Sequence, residues 1–69
     1  MKLYQAVTAD EYEYDIANAP TLKELADILR VDKDILIKAL KNYKIISTPY
    51  SEQIGYSKIR IKRLQWNKN

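Results

Sequence analysis

The sequence predicts one α+β domain: an N-terminal β-hairpin, two central helices joined by a tight turn, and a C-terminal strand or wing. Three patterns predict this order. β-Branched and aromatic residues cluster near the N-terminus, aliphatic residues recur at helical spacing within residues 21–41, and isoleucine alternates with cations within residues 56–64. The length of 69 residues leaves room for a single domain, residues 1–69, with one small core.

The N-terminal hairpin is predicted from two short runs. Residues 3–8, LYQAVT, read as a strand, and residues 9–11 read as a turn. Residues 12–17 then alternate, with Tyr12, Tyr14 and Ile16 on one face and Glu13 and Asp15 on the other. We expect the tyrosines to pack within the sheet or the core. An isolated hairpin is marginally stable, so this one should rest on the helices.

The first helix has a clear N-terminal signal. Pro20 ends whatever precedes it, and Thr21 with Glu24 three residues later has the spacing of a capping box. The residues that follow form one apolar helical face, made of Leu22, Leu25, Ala26 and Leu29.

The second helix is predicted to begin after Asp32, which is a good N-cap residue, and to end at Asn42 or Tyr43. Its apolar positions are Ile35, Leu36, Ala39 and Leu40. Ile37 is also apolar, so hydrophobic side chains cover more than one side of this helix. We therefore expect Ile35 or Ile37 to contact another part of the fold or a second subunit.

The C-terminal third begins with a short strand or buried anchor at residues 45–46, followed by a predicted loop at residues 47–55. Residues 56–64 predict a strand, in which Ile59 and Ile61 face the core. The opposite face carries cations about 7 Å apart. Arg63 falls on the isoleucine side, and Trp66 continues the cationic face. The strands around the loop form a wing, or the last strand pairs with the N-terminal hairpin, or both pairings occur in one sheet.

The two central helices resemble the helix-turn-helix of bacterial DNA-binding proteins. In that family a small residue lies where the helices cross, as Ala26 would, an apolar turn residue matches Val31, and an aliphatic residue of the second helix matches Leu36. Arg30 departs from the family, which usually has glycine there because the turn needs a positive φ. A two-helix hairpin of the core shares most of this pattern.

A broader resemblance covers the first two thirds of the chain. KLYQAVTADEYEYDIANA directly before TLKELADILRVDK is similar to small hairpin-plus-helix-turn-helix proteins of Gram-positive bacteria and their phages. The resemblance implies a presumed DNA-binding or winged helix-turn-helix domain with a role in transcription regulation. It supports the fold more than the activity, and no motif is recognised beyond Asn42.

Charge and composition narrow the classes of function. Residues 1–34 hold four basic and eight acidic residues, whereas residues 35–69 hold eight basic residues and one acidic residue. A basic half suits a polyanion or an acidic protein surface.

The absence of cysteine and histidine and the single glycine argue against an enzyme, a metal site or a cofactor. Residues 10–15 read as a solvated acidic hairpin. With no long apolar run, we expect a cytoplasmic protein without membrane contact.

The leading hypothesis is a small protein that binds double-stranded DNA through phosphate contacts. Its candidate nucleic-acid-binding residues are Lys33, Ile37, Lys38, Lys41, Lys58, Arg60, Lys62 and Arg63. The alternative is a protein-interaction module, homodimer or phage-type inhibitor or antirepressor that uses Ile35, Ile37 or the acidic hairpin at residues 10–15. The two hypotheses differ in geometry, since DNA binding favours one cationic face that excludes residues 10–15.

Overall fold

The computed structural model describes residues 2–65 and confirms the α+β class. Its elements, in chain order, are β1 (Lys2–Thr8), β2 (Asp15–Ala19), α1 (Leu22–Leu29), α2 (Lys33–Asn42), β3 (Ile45–Ile46), α3 (Pro49–Gln53) and β4 (Ile59–Gln65). The prediction for Trp66 lies outside the described residues.

The four strands form one antiparallel sheet in the order β2-β1-β4-β3. β4 pairs with β1 along its whole length, from Lys2 opposite Gln65 to Thr8 opposite Ile59. On its other side, β4 pairs with the two residues of β3. Both predicted pairings of the last strand therefore occur in one sheet.

The second strand differs from its prediction. It spans residues 15–19 rather than 12–17, and its register with β1 shifts between Ala6 and Val7, which leaves Ile16 as an extra residue. Such a bulge interrupts the alternation of faces. The expectation that Tyr12 and Tyr14 pack inside is wrong: they are 65% and 57% exposed, and their rings stack on each other with centroids 5.6 Å apart.

The two central helices begin and turn largely as predicted. The Thr21 hydroxyl accepts a hydrogen bond from the backbone N–H of Glu24 at 3.1 Å, which confirms the N-cap of α1. Arg30 adopts φ 63°, and its backbone N–H donates to carbonyls of the last turn of α1. Asp32 occupies the N-cap position of α2, but its side chain makes no capping hydrogen bond.

The core lies between the helices and one face of the sheet. Leu25, Leu29, Leu36 and Ile59 are completely buried. Smaller side chains complete this cluster where the elements approach each other, namely Ala6, Ala19, Ala26 and Ala39, together with Ile61. Ala26 is thus buried, as its proposed place at the helix contact requires. Each of the large aliphatic side chains contributes about 1.5–3 kcal/mol by burial.

The region predicted as a loop at residues 47–55 contains the short helix α3. Thr48 and Ser51 form a complete capping box, in which each side chain accepts a hydrogen bond of 3.1 Å from the other's backbone N–H. Pro49 occupies the first turn, where the missing N–H has no cost. Because the turn after α3 continues through Tyr56, whose N–H donates to the Ser51 carbonyl, β4 begins at Ile59 rather than at residue 56.

Candidate nucleic-acid interface

α2 presents one side to the core and another to solvent. Leu36 and Ala39 are buried, while Lys33, Lys38 and Lys41 are exposed. At 100° per residue, Lys38 and Lys41 lie opposite the buried side and Lys33 lies toward one flank. The exposed Asp34 lies between Lys38 and Lys41 on the same side of the helix. We call the three lysines, Lys33, Lys38 and Lys41, the basic face of α2.

A cleft of about 680 Å³ separates α2 from β4. Its apolar lining comes from both elements and from the start of α1. Its cationic lining comes from the end of α2 and from the middle of β4. The lining residues of this α2–β4 cleft are Glu13, Leu22, Ile37, Leu40, Lys41, Tyr43, Arg60, Ile61, Lys62 and Arg63.

Glu13 is the acidic member of the α2–β4 cleft. Its carboxylate lies 3.2 Å from Lys62 Nζ and 3.7 Å from Arg60 Nη1. Among residues 2–65 these are the only ion pairs. All three side chains are 35–40% exposed, so water screens the attraction and each pair contributes less than about 1 kcal/mol to stability.

The loop that carries Glu13 is held by a network around Asp10. One carboxylate oxygen of Asp10 accepts hydrogen bonds from the Thr8 hydroxyl at 2.8 Å and from the backbone N–H groups of Tyr12 and Glu13 at 3.0 Å. The Thr8 hydroxyl in turn accepts from the backbone N–H of Tyr14 at 2.9 Å. Chiefly because of the Thr8 hydrogen bond, and also because of the two N–H groups, the pKa of Asp10 lies below its ordinary value.

The structure brings together five of the eight residues predicted from the sequence. Ile37 and Lys41 of α2, and Arg60, Lys62 and Arg63 of β4, all line the α2–β4 cleft. Lys33 and Lys38 are exposed on α2 outside the cleft lining. Lys58 stands apart, before the start of β4, where its backbone carbonyl accepts from the N–H of Ala9. DNA binding favours a cationic face without residues 10–15, but Glu13 contacts both Arg60 and Lys62. The geometry therefore does not meet this criterion.

Ile35 and Ile37 lie on opposite flanks of α2 and are 42% and 37% exposed. Ile37 lines the α2–β4 cleft, whereas Ile35 lines a second depression of about 460 Å³ beside the turn between α1 and α2. Both side chains therefore face other parts of the fold while keeping substantial exposed surface.

Sequence reasoning missed the partnership of Glu13 with the cations of β4. Glu13 and Lys62 are 49 residues apart, and the β1–β4 pairing brings the loop that carries Glu13 next to β4. No local pattern contains this information. The predicted alternation of residues 12–17 did not supply it either, because Glu13 lies in the loop before β2 rather than in the strand.

The chain matches no protein-family model, no curated protein and no solved structure. Between residues 2 and 65, no helix is both long enough and apolar enough to cross a membrane. Within the same residues, no three His, Cys, Asp or Glu side chains converge as metal ligands would.

Proposed function

We propose that this protein is a small DNA-binding protein, acting as a transcriptional regulator or accessory DNA-binding factor, with α2 against the phosphate backbone of double-stranded DNA. The observation that carries the proposal is the exposure of Lys38 and Lys41 on the side of α2 opposite the one that packs in the core. In a helix-turn-helix the second helix likewise follows a short turn and offers its outer side to DNA, which supports the proposal.

The electrostatics of α2 support phosphate contact. No acidic side chain among residues 2–65 lies within ion-pair distance of Lys38, Lys41 or Arg63, so these cations are available to an anion. Cations that neutralise phosphates release bound counterions, which drives association and makes it salt-dependent. Such contacts position a protein on DNA without reading its sequence.

The structure also modifies the predicted set of contacts. Arg60 and Lys62 already pair with Glu13. A phosphate that binds them must displace the Glu13 carboxylate, and the loss of that ion pair offsets part of the gain. The Asn42 side chain at the end of α2 donates its N–H to the Lys38 carbonyl. We therefore place the main phosphate contacts at Lys38 and Lys41, with Arg63 beside them and smaller contributions from Arg60 and Lys62.

Titration of a fluorescent mixed-sequence duplex at several salt concentrations tests the proposal. We expect affinity to fall with salt with a log–log slope of about −3, because each neutralised phosphate contributes about −0.9. Lys38→Ala and Lys41→Ala should each weaken binding and reduce the slope by about one. Lys58→Ala, which removes the same charge from an exposed position away from the cleft, is the matched control and should have a smaller effect. Absence of binding at low salt would refute the proposal.

A protein-interaction module is the second candidate. The apolar lining of the α2–β4 cleft and the presence of Glu13 among its cations favour this role, because an anionic side chain already occupies the position that a phosphate would take. A homodimer is one form of this candidate. Sedimentation equilibrium over a range of concentrations distinguishes a self-associating protein from one that needs a different partner.

A further inference from the structure

One edge of β4 is open beside the α2–β4 cleft. β4 is seven residues long, and β1 pairs with all of them. On the opposite side, β3 pairs only with Ile59 and Arg60. Within the described part of the chain, residues 61–65 therefore have one paired side and one side without a neighbouring strand. An unpaired edge offers backbone N–H and C=O groups to an added strand.

The surroundings of this edge differ above and below the sheet. On the helix side, Ile37 and Leu40 of α2 and Ile61 of β4 line the cleft, with Arg63 at the end of this aliphatic row. On the other side lie Arg60 and Lys62, which share a face because residues two apart in a strand point the same way. A strand added at this edge would place alternate side chains against aliphatic groups and beside cations.

The charges of the edge discriminate between possible occupants. In a second copy paired through its own β4, Lys62 and Arg63 would approach the same cations of the first copy. Like charges on paired strands are destabilising. An acidic strand has the complementary charge, so charge complementarity selects an acidic partner over a second copy of this chain.

We propose that the α2–β4 cleft binds an extended peptide that alternates acidic and aliphatic residues and adds to the sheet at residues 61–64 of β4. The acidic side chains lie beside Arg60 and Lys62, and the aliphatic ones contact Ile37 and Leu40. This inference deepens the protein-interaction candidate and is independent of DNA binding, since the backbone hydrogen bonds of strand addition have no counterpart in a duplex.

Glu13 occupies the anionic position of this site in the absence of a partner. Its contacts with Arg60 and Lys62 come from the loop before β2 and do not use the open edge of β4. An acidic peptide shares these cations with Glu13 or displaces it. Glu13→Gln should therefore tighten peptide binding, by about two- to tenfold, because it removes a competing carboxylate.

The test uses a short synthetic peptide with blocked ends that alternates glutamate with valine, added to the full chain labelled for NMR. A second peptide has the same side chains but N-methyl groups on every second amide, prepared in both registers, so that one version cannot donate the edge hydrogen bonds. Ile37→Glu places a negative charge within the cleft, where it repels the glutamates of the peptide. Ile35→Glu is its matched control on the opposite flank of α2, with similar exposure.

We expect saturable binding, with slowed exchange of those backbone N–H groups of residues 61–64 that point away from β1. Binding should weaken by about tenfold or more with one N-methylated register and with Ile37→Glu, but change little with Ile35→Glu. Equal binding of both N-methylated registers would overturn strand addition while leaving a peptide-binding module. No binding of the parent peptide would overturn the inference altogether, and neither result would alter the duplex titration.

Discussion

Arg30 holds a backbone conformation that residues other than glycine seldom adopt. With φ 63° it ends α1 and donates its backbone N–H to the carbonyls of Ala26 and Asp27. The left-handed conformation costs an L-residue about 1 kcal/mol or more. The side chain contributes one exposed hydrogen bond, from Nη1 to the Gln53 side-chain oxygen at 3.1 Å. That contact offsets part of the strain at most.

We therefore expect Arg30→Gly to leave the free energy of unfolding unchanged or to raise it by up to about 1 kcal/mol, because glycine accepts positive φ without strain. Arg30→Ala is the control, since it removes the same hydrogen bond but keeps the Cβ atom, and it should be less stable than Arg30→Gly. Urea unfolding measures both. A glycine variant less stable than the alanine variant would show that the turn does not need this conformation.

Because of Asp10, the free energy of unfolding depends on pH. Its folded-state pKa is lowered, first by the Thr8 hydroxyl and then by two backbone N–H groups. A lowered pKa means that the ionised form favours folding: the contribution is complete above the unfolded-state pKa and is lost as pH falls through the folded-state value. Urea unfolding should show wild type losing stability in acid, below about pH 4, relative to Asp10→Asn. A constant difference between the two proteins from neutral to acidic pH would contradict this account.

At the scale of elements, local signals predict α1, α2 and β4, because each has a periodic apolar face and residues at its ends that favour a boundary. The sequence does not predict α3, because Pro49 and Gly55 are typical loop residues. Its signal was nevertheless present: Thr48, Pro49 and Ser51 stand at the N-cap, first and third positions of a capped helix. β2 begins later than predicted because the loop held by Asp10 continues through Glu13, which adopts φ 47°. The bulge at Ile16 then interrupts the alternation, and no alternation pattern specifies where a bulge falls.

The capping box of α3 is a testable consequence of this element. Thr48 and Ser51 are fully buried, so Ser51→Ala leaves the Thr48 backbone N–H without its partner in the interior. We expect a loss of about 1–3 kcal/mol in the free energy of unfolding. Thr21→Ala removes an exposed N-cap from α1 and should cost about 1 kcal/mol. Thermal or urea unfolding of both variants compares the two losses in the free energy of unfolding. A smaller loss for Ser51→Ala than for Thr21→Ala would mean that the capping box does not stabilise α3.

At the scale of the whole molecule, folding partly cancels the charge asymmetry of the sequence. The acidic N-terminal half contributes Glu13 to the cations of β4, so Arg60 and Lys62 are paired, whereas no ion pair within residues 2–65 involves Lys38 or Lys41 of α2. Charge counting along the chain predicted the basic half and its lysines. It did not predict this cancellation, because the β1–β4 pairing that brings the two halves together is a long-range contact.

Removing the Glu13 carboxylate tests this arrangement. We expect Glu13→Gln to change the free energy of unfolding by less than about 1 kcal/mol, because the pairs are half-exposed. The affinity for duplex DNA should rise by about two- to tenfold, since Arg60 and Lys62 become available to phosphates. Glu11→Gln removes the same charge from an exposed position of the same loop and serves as the control. Equal increases in DNA affinity in the two variants would indicate an effect of net charge alone rather than the release of Arg60 and Lys62.

The most direct test of the proposed DNA-binding surface is NMR mapping of the labelled protein during addition of a mixed-sequence duplex at low salt. The account predicts shifts of backbone signals concentrated in residues 37–42 and 60–63. The signals of α3 and of Lys58 should change little. Absence of shifts, or shifts centred on α3 or on Lys58, would contradict a DNA interface built on Lys38 and Lys41 of α2.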